Sequence, residues 1–179
     1  MRTSKLGLGV IGVVAAGFLG GCATTGTGSP EQISCLQPNR RVSVEMGGIK
    51  AKPAPKPKPG AKPGKPGRQA VMLKALAQGD SAFDFKSAVL KDGGKAELDK
   101  IVKAVASGVG KDKRPTAVGS VVVSGHSDRL EASEGDNSLS ENRAKAVVAY
   151  LVSKGVNQKL VFWEGVGSRQ PVPVTKFCE

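Results

Sequence analysis

Two kinds of hydrophobic spacing alternate along the second half of the chain. Apolar residues recur every three or four positions over residues 95–106 and 138–154, which predicts two amphipathic helices. β-Branched or aromatic residues concentrate at 81–85, 117–124 and 160–163, and each of these runs predicts a strand. Strands that alternate with helices indicate an α/β fold, here a two-layer α+β sandwich.

Local signals mark both ends of the second predicted helix. Ser138 is followed three positions later by Glu141, a pair that predicts a capping box at the helix start. Gly155 suits the position just past the helix end, where a left-handed backbone is common. The two signals together predict a helix over residues 138–154.

The first half of the chain has a different pattern. Residues 41–46 alternate apolar and polar side chains, which predicts a short strand, and residues 31–36 resemble the end of a helix. Residues 47–69 are rich in Gly, Pro, Lys and Ala and cannot build a core, so we expect an extended, disordered linker there. The main folded part is then expected over residues 70–179.

The N-terminus carries a targeting signal. A short basic start precedes an apolar run over residues 6–18, which is too short to span a bilayer as a stable helix. The run ends in Leu19-Gly20-Gly21-Cys22, which resembles a bacterial lipobox. That resemblance implies a signal peptide over 1–21, lipidation (palmitate among the acyl groups) of Cys22, and a spacer to residue 30. Ala23 after the cysteine favours the outer membrane, and the alternative is an ordinary signal peptide with an incidental cysteine.

The charge of the chain is unevenly distributed. The formal net charge is +12, and without nine basic residues of the leader and linker the rest carries only +3. These nine are Arg2, Lys5, Lys50, Lys52, Lys56, Lys58, Lys62, Lys65 and Arg68. A nucleic-acid partner is not expected, because the folded part is not uniformly basic and the basic tract lacks interleaved aromatic residues.

Candidate binding chemistry lies where the strand at 117–124 leads into the second helix. Gly125-His126-Ser127-Asp128 ends the strand, and Leu139-Ser140-Glu141-Asn142-Arg143-Ala144 lies in the first turns of the helix. A carboxylate at Asp128 and a guanidinium at Arg143, on either side of one loop, suit a zwitterionic ligand.

These two segments resemble the peptidoglycan-binding domain of the OmpA family, which includes peptidoglycan-associated lipoproteins. In that family an Asp at the strand end and an Arg fifteen residues later hold the diaminopimelate of the peptidoglycan stem peptide. The resemblance implies that Asp128 pairs with the side-chain ammonium of the ligand and Arg143 with a carboxylate. The alternative for the same spacing is an internal salt bridge between Asp128 and Arg143.

The resemblance also suggests supporting residues. Ser127 replaces the usual Thr and keeps its hydroxyl, and Arg40 matches a basic residue near the pocket. Phe83-Asp84-Phe85 resembles the first-strand motif, in which Asp84 either faces the ligand or only caps a turn. Asp136 stands where the family usually has Asn, so its extra carboxylate would either strengthen ammonium binding or repel the carboxylates of the ligand.

The order of the resembling segments suggests a circular permutation. The family's domain ordinarily ends with a cysteine, a Pro-containing turn and a strand of the type Asn/Asp-Arg-Arg-Val-x-Val. Nothing similar follows residue 171, whereas residues 35–46 read Cys-Leu-Gln-Pro-Asn-Arg-Arg-Val-Ser-Val-Glu-Met. We therefore expect a βαβαβ domain whose final helix end and strand, residues 31–46, have moved to the N-terminus; the alternative is a chance strand.

The cysteines fit the same arrangement. If Cys22 is acylated, Cys35 and Cys178 remain, and in an oxidising periplasm they are expected to form a disulfide. Such a bond would join the two ends created by the permutation. The alternative is two free thiols.

No enzyme, cofactor or metal site is expected. His126 is the only histidine, and adjacent strand residues point to opposite faces, so His126, Ser127 and Asp128 cannot form a catalytic triad. One histidine and two paired cysteines do not make a zinc site. The expected function is an outer-membrane lipoprotein that binds peptidoglycan non-covalently. The alternative is an envelope interaction module with a porin, secretion-system or Tol-like partner, whose basic tract contacts anionic surfaces and whose peptidoglycan binding is weak or absent.

Overall fold

The computed structural model describes residues 28–51, 68–107, 115–132 and 135–174. These segments contain four strands and three α-helices. In chain order they are α1 (Pro30–Cys35), β1 (Arg41–Ala51), β2 (Arg68–Gln78), α2 (Asp92–Ser107), β3 (Thr116–His126), α3 (Ser138–Ser153) and β4 (Val161–Gly167). Short 3₁₀ turns at Gln37–Asn39, Gly79–Ser81 and Gln158–Leu160 precede β1, follow β2 and precede β4. The order from β2 onward is βαβαβ, as predicted, with one additional strand in front.

The four strands form one sheet in the order β2-β1-β3-β4. β1 is antiparallel to β2 along its whole length, from Arg41 opposite Gln78 to Ala51 opposite Arg68. The other side of β1 is antiparallel to β3, and β3 is parallel to β4. The first of the described strands is therefore a central strand that is hydrogen-bonded on both sides.

Helices α2 and α3 cover one face of this sheet. Alternate residues of the two central strands point into the shared core, because successive side chains of a strand face opposite sides. The core combines Val42, Val44, Met46, Val121 and Val123 of the strands with Leu98, Ile101, Ala144, Val147 and Leu151 of the helices. Four of the five core strand residues are valines, and their stiff branched side chains suit strand packing.

The opposite face of the sheet is not covered by the described helices. It carries the exposed apolar residues Met72, Leu76, Val122 and Phe162. Lys74 and Glu45 form an ion pair of 2.6 Å on the same face. The described part of the chain thus forms a two-layer sandwich, in agreement with the predicted fold class.

The prediction of a first strand over residues 81–85 was wrong. Residues 79–81 form a 3₁₀ turn, and the backbone then turns at Lys86, whose φ of 55° lies in the left-handed region. Phe83 alternates with Asp84 as in a strand, but its ring is buried in the hydrophobic core and its backbone belongs to none of the four described strands. The strand that pairs with β1 lies earlier, at Arg68–Gln78.

The linker prediction was too long at both ends. Residues 47–51 continue β1, and residues 68–69 begin β2. Residues 52–67 lie outside the described segments, so the expected disorder there stays a prediction. The same holds for the signal peptide and for the lipidation of Cys22. Within the described segments no helix has the length and hydrophobicity that crossing a bilayer requires.

The start of α3 also differs from the prediction. Asn137 is the N-cap and its side chain makes no capping bond, so the expected capping box from Ser138 to Glu141 was wrong. Ser140 instead donates from its hydroxyl to the Asn137 carbonyl, at 2.7 Å. At the other end, Gly155 has a φ of 94°, which confirms its place just beyond the helix.

The N-terminal and C-terminal segments lie side by side. The backbone N–H of Val172 donates to Asn39 Oδ1 at 2.7 Å, and Arg41 Nη2 donates to the Gln170 carbonyl at 2.8 Å. Cys35, in the α1 segment before them, is disulfide-bonded. Cys178 lies outside the described residues, so its pairing with Cys35 stays a prediction.

Candidate functional site

The candidate site lies where β3 leads through residues 127–137 into α3. Here the helix approaches the strand closely, because Gly125 has no side chain. A Cβ atom at Gly125 would overlap the backbone carbonyl of Ser140 in the first turn of α3. This close approach brings Arg143, one turn further along the helix, against the end of β3.

Arg143 is fully buried and all five of its N–H donors are used. Its Nη1 and Nη2 atoms donate to the two carboxylate oxygens of Glu131, at 2.7 and 2.5 Å. The remaining donors bind the carbonyls of Ser87 (2.9 Å), Asp84 (3.2 Å) and His126 (3.2 Å). The guanidinium thus joins the end of β3 to the segment before α2 through carbonyl bonds, and it forms a forked pair with the carboxylate of Glu131 in the following loop.

Glu131 is the functional candidate that the sequence reasoning missed. Its side chain is 0% exposed, as is that of Arg143. Besides the two bonds from Arg143, its carboxylate accepts the backbone N–H groups of Lys86 (2.9 Å) and Asp128 (3.1 Å). Each carboxylate oxygen therefore has two donors, and the charge is compensated inside the protein.

Asp128 is equally buried, with a side chain that is 0% exposed. Its Oδ1 accepts the backbone N–H groups of Leu130 (2.8 Å) and Glu131 (3.0 Å), and its Oδ2 accepts Arg40 Nη1 at 3.2 Å. Burial, followed by the nearby charge of Glu131, raises the pKa of Asp128, although the Leu130 bond and Arg40 oppose this shift. The carboxylate is therefore costly to keep ionised without a cation close by.

Arg40 is the positively charged partner of Asp128 inside the protein. It lies just before β1, is fully buried, and also pairs with Asp80 after β2. Its Nη1 donates to the Ile33 carbonyl at 2.9 Å, and its guanidinium lies 5.7 Å from the ring centre of Phe85. Nε of Arg40 is buried and has no hydrogen-bond partner in the described part of the chain. Arg40 thus contacts Asp128, and its predicted place near a binding pocket stays a prediction.

The other predicted site residues contribute differently. The Asp84 carboxylate is exposed and pairs with Lys91 at 2.7 Å, whereas the Asp84 carbonyl accepts Arg143. Ser127 is buried, and its hydroxyl has no hydrogen-bond partner among the described residues. Ser127 therefore has an unbonded hydroxyl next to Asp128, whereas Asp84 contributes its backbone carbonyl as an acceptor for Arg143.

Asp136, the extra carboxylate of the loop, is exposed and supports the start of α3. Its Oδ1 accepts the backbone N–H of Ser138 at 2.8 Å. This backbone bond, together with the Ser138 side chain, lowers the pKa of Asp136. An exposed carboxylate bonded to a helix N-terminus is stabilised where it is, by the same donors that cap helices.

The two predicted ligand-binding charges have separate internal partners. Among the described residues no ion pair joins Asp128 directly to Arg143. The alternative of an internal salt bridge between these two residues was therefore wrong. Arg143 pairs with Glu131, and Asp128 pairs with Arg40. Glu131 connects the two pairs, since it also accepts the Asp128 N–H. The described residues contain no cluster of acidic, histidine or cysteine side chains suited to a metal ion.

Comparisons with known proteins identify the region that holds this site. A family model described as the OmpA family matches residues 82–177. Outer membrane protein A of Escherichia fergusonii is 39% identical over 93 residues, which cover 52% of this chain and 36% of that protein. Outer membrane protein A of Shigella flexneri is also 39% identical, with 52% and 25% covered, and that of Citrobacter freundii is 38% identical, with 52% and 37% covered.

The chain therefore spans only about a quarter to a third of the length of these curated relatives. A solved structure, the OmpA-like domain of FopA1 from Francisella tularensis subsp. tularensis SCHU S4, is 23% identical with a TM-score of 0.40. That similarity covers 52% of this chain and 58% of the FopA1 chain.

Proposed function

This chain belongs to the OmpA family, and from that premise we propose that it binds peptidoglycan non-covalently. The family match covers the whole of the loop and helix that carry Asp128 and Arg143. The proposed role is attachment to the cell wall and involves no catalysis.

The observation that carries the proposal is a buried anion and a buried cation on either side of one loop, Asp128 just after β3 and Arg143 in α3. Asp128 and Arg143 are both fully shielded from solvent, and both contact the backbone of residues 126–131. Buried charges are costly unless they are paired, and charged groups kept in such surroundings are enriched at functional sites. The stem-peptide residue diaminopimelate has an ammonium and carboxylates, which match these two charges.

In the proposed complex Asp128 accepts the ligand ammonium and Arg143 donates to a ligand carboxylate. Ser127 supports this assignment, because its buried hydroxyl still has donor and acceptor capacity to offer. Arg40 would then hold Asp128 in place rather than contact the ligand. A lysine-type wall lacks the extra carboxylate of diaminopimelate and should bind more weakly.

We also propose that the domain is circularly permuted. The family match begins at residue 82, so β1 and β2 lie outside it although β1 is central in the sheet. The chain around residues 170–172 is hydrogen-bonded to residues 39–41, so the C-terminal segment lies beside the start of β1. These contacts support the interpretation that residues 31–51 complete the family domain.

Lipidation at Cys22 and attachment to the outer membrane complete the proposal. The lipobox-like sequence before Cys22 supports it, and the curated relatives are outer membrane proteins by name. The domain would then face the periplasm, where peptidoglycan is accessible. Blocking lipidation by Cys22→Ser should release the protein from the membrane fraction without changing its affinity for the wall.

Sedimentation with purified diaminopimelate-type peptidoglycan tests the proposal. Oxidised protein of residues 23–179 should bind saturably, and Asp128→Asn and Arg143→Lys should each weaken binding about tenfold or more, because each removes a charge-assisted bond or its forked geometry. Glu45→Gln is the matched control, since Glu45 forms an exposed ion pair on the open sheet face. Circular dichroism should show that all variants are folded.

Absence of peptidoglycan binding would also be informative. A folded parent protein that does not sediment with peptidoglycan would contradict the proposal. The buried pairs would then be purely structural, and an envelope protein partner or an anionic surface contacted by the Lys/Pro tract would become the better candidate.

A further inference from the structure

Arg143 and two backbone N–H groups form a pocket shaped for a carboxylate. The donors converge from three places: α3, the turn at Lys86, and the loop at Asp128. Guanidinium forks and backbone N–H groups are the usual protein donors to carboxylates. In this structure the Glu131 side chain supplies the carboxylate.

The backbone is strained at one of the residues that form the pocket. Lys86, whose N–H points to Glu131, has a φ of 55°, a conformation that residues other than glycine seldom adopt. Strained backbone of this kind tends to occur where structure serves binding. The ring of Phe83 packs against the guanidinium, with its centre 5.3 Å from Arg143 Cζ. This cation–π contact also holds the guanidinium in position.

We propose that Glu131 is an internal competitor of the ligand, because its carboxylate occupies the position on Arg143 that the proposed function assigns to a ligand carboxylate. A ligand carboxylate reaches Arg143 by displacing Glu131 from it. This inference rests on the proposed peptidoglycan function for the identity of the ligand. The pocket itself can be tested separately.

The geometry explains why Glu131 can act as a competitor. All five donors of Arg143 are already used, so an additional carboxylate cannot bind it without a vacated position. The three carbonyl partners belong to the backbone framework, whereas Glu131 is a side chain on a loop. Two of the five bonds, those to Glu131, can therefore be exchanged for two equivalent bonds to a ligand.

Acetate tests the pocket without peptidoglycan. Glu131→Ala deletes one methylene and one carboxylate beyond Cβ, and acetate has the same set of heavy atoms. In the variant, acetate should raise the midpoint of thermal unfolding saturably, because a ligand that binds only the folded state stabilises it. Sodium chloride at equal ionic strength and pH should not. The parent protein, with its pocket filled, should respond equally to both salts.

A second variant makes this test specific. In the double variant Glu131→Ala, Arg143→Met the guanidinium is gone, and the acetate effect should disappear. An acetate response that persists in the double variant, or is absent from folded Glu131→Ala, would overturn the assignment of the carboxylate pocket.

Peptidoglycan binding tests whether Glu131 is a competitor. Glu131→Gln keeps the shape of the side chain but removes its charge and replaces one acceptor oxygen by an NH2 group, so one of the two bonds from Arg143 is lost and the other is weakened. Arg143 should then be easier to reach, and affinity for diaminopimelate-type peptidoglycan should rise roughly fivefold to tenfold. An unchanged or lower affinity in folded Glu131→Gln would show that Glu131 does not compete with the ligand.

The two tests separate the two proposals. Acetate rescue in a protein whose parent does not bind peptidoglycan would keep the carboxylate pocket and reject the proposed function. Peptidoglycan binding by the parent, without acetate rescue and without a gain in Glu131→Gln, would keep the function and reject the role of Glu131.

Discussion

His126, at the end of β3, links the stability of the protein to pH. Its side chain is buried, Nδ1 has no hydrogen-bond partner among the described residues, and Arg41 lies opposite it on β1. Burial, then the charge of Arg41, lowers the pKa of His126 to about 4, and Glu164 only partly opposes the shift. The folded protein thus favours the neutral imidazole.

This shift predicts a loss of stability on acidification. An unfolded histidine binds its proton near pH 6.5 and the folded one near 4, so the unfolded state gains protons first as the pH falls between these values. His126→Gln should remove this part of the pH dependence, which we expect to be about 1–2 kcal/mol between pH 7 and 4.5 once solvent screening is allowed for. Urea unfolding of both proteins at the two pH values measures the difference. Parallel pH profiles would contradict the prediction.

At the same scale, the sequence predicted the charges of the site but not their partners. Asp128 and Arg143 could be predicted because their spacing and flanking residues form a motif. Glu131 could not, since it is one of several acidic residues in a loop and only the folded backbone shows which one faces Arg143. The sequence predicted a role for the side chain of Asp84, yet its backbone carbonyl makes the contact to Arg143. A sequence motif does not distinguish a side-chain role from a backbone role.

Among the elements, the contact between α3 and β3 determines where the site lies. Gly125→Ala should destabilise the protein by about 2 kcal/mol or more, because its methyl group would meet the backbone carbonyl of Ser140, which cannot move as a side chain can. The matched control is Gly119→Ala on the same strand. Its Cβ would lie 3.7 Å from the nearest atom, the Gly47 carbonyl oxygen, and the change should cost less than about 0.5 kcal/mol. Equal unfolding free energies for the two variants would contradict the assigned packing.

The misplaced first strand shows which element signals are ambiguous. Phe83-Asp84-Phe85 alternates like a strand, but its aromatic rings serve instead as contacts for the buried guanidinium groups of Arg143 and Arg40. Residues 68–78 contain three Ala, which is depleted in strands, and only one β-branched residue, Val71. They form a strand because β1 offers a full-length partner, and such tertiary pairing is not visible in local propensity.

At the scale of the whole molecule, the permutation proposal predicts that the segments can be reordered. A chain of residues 68–179 followed directly by 28–51, without the Lys/Pro tract, should fold with stability within about 1 kcal/mol of the parent, since changing loop lengths costs little. Thermal unfolding and amide hydrogen exchange of β1 measure this. Residues 68–179 alone are the control and should not fold stably, because β2 and β3 then lose the strand between them. A reordered chain that stays unfolded would count against the proposal.

The position of β1 has a consequence for how the protein reaches its native state. β1 is synthesised first, yet its partner residues on β3 extend to His126, eighty-five positions after Arg41. Contacts so distant in sequence form slowly, since a large part of the chain must be ordered before they are made. Until then Val42, Val44 and Met46 are apolar side chains on a strand whose β3-facing edge is unpaired and whose core face is uncovered, the kind of segment that associates with other unfolded chains. The protein should therefore depend on chaperones during its biogenesis more than a domain of the same size built from neighbouring strands.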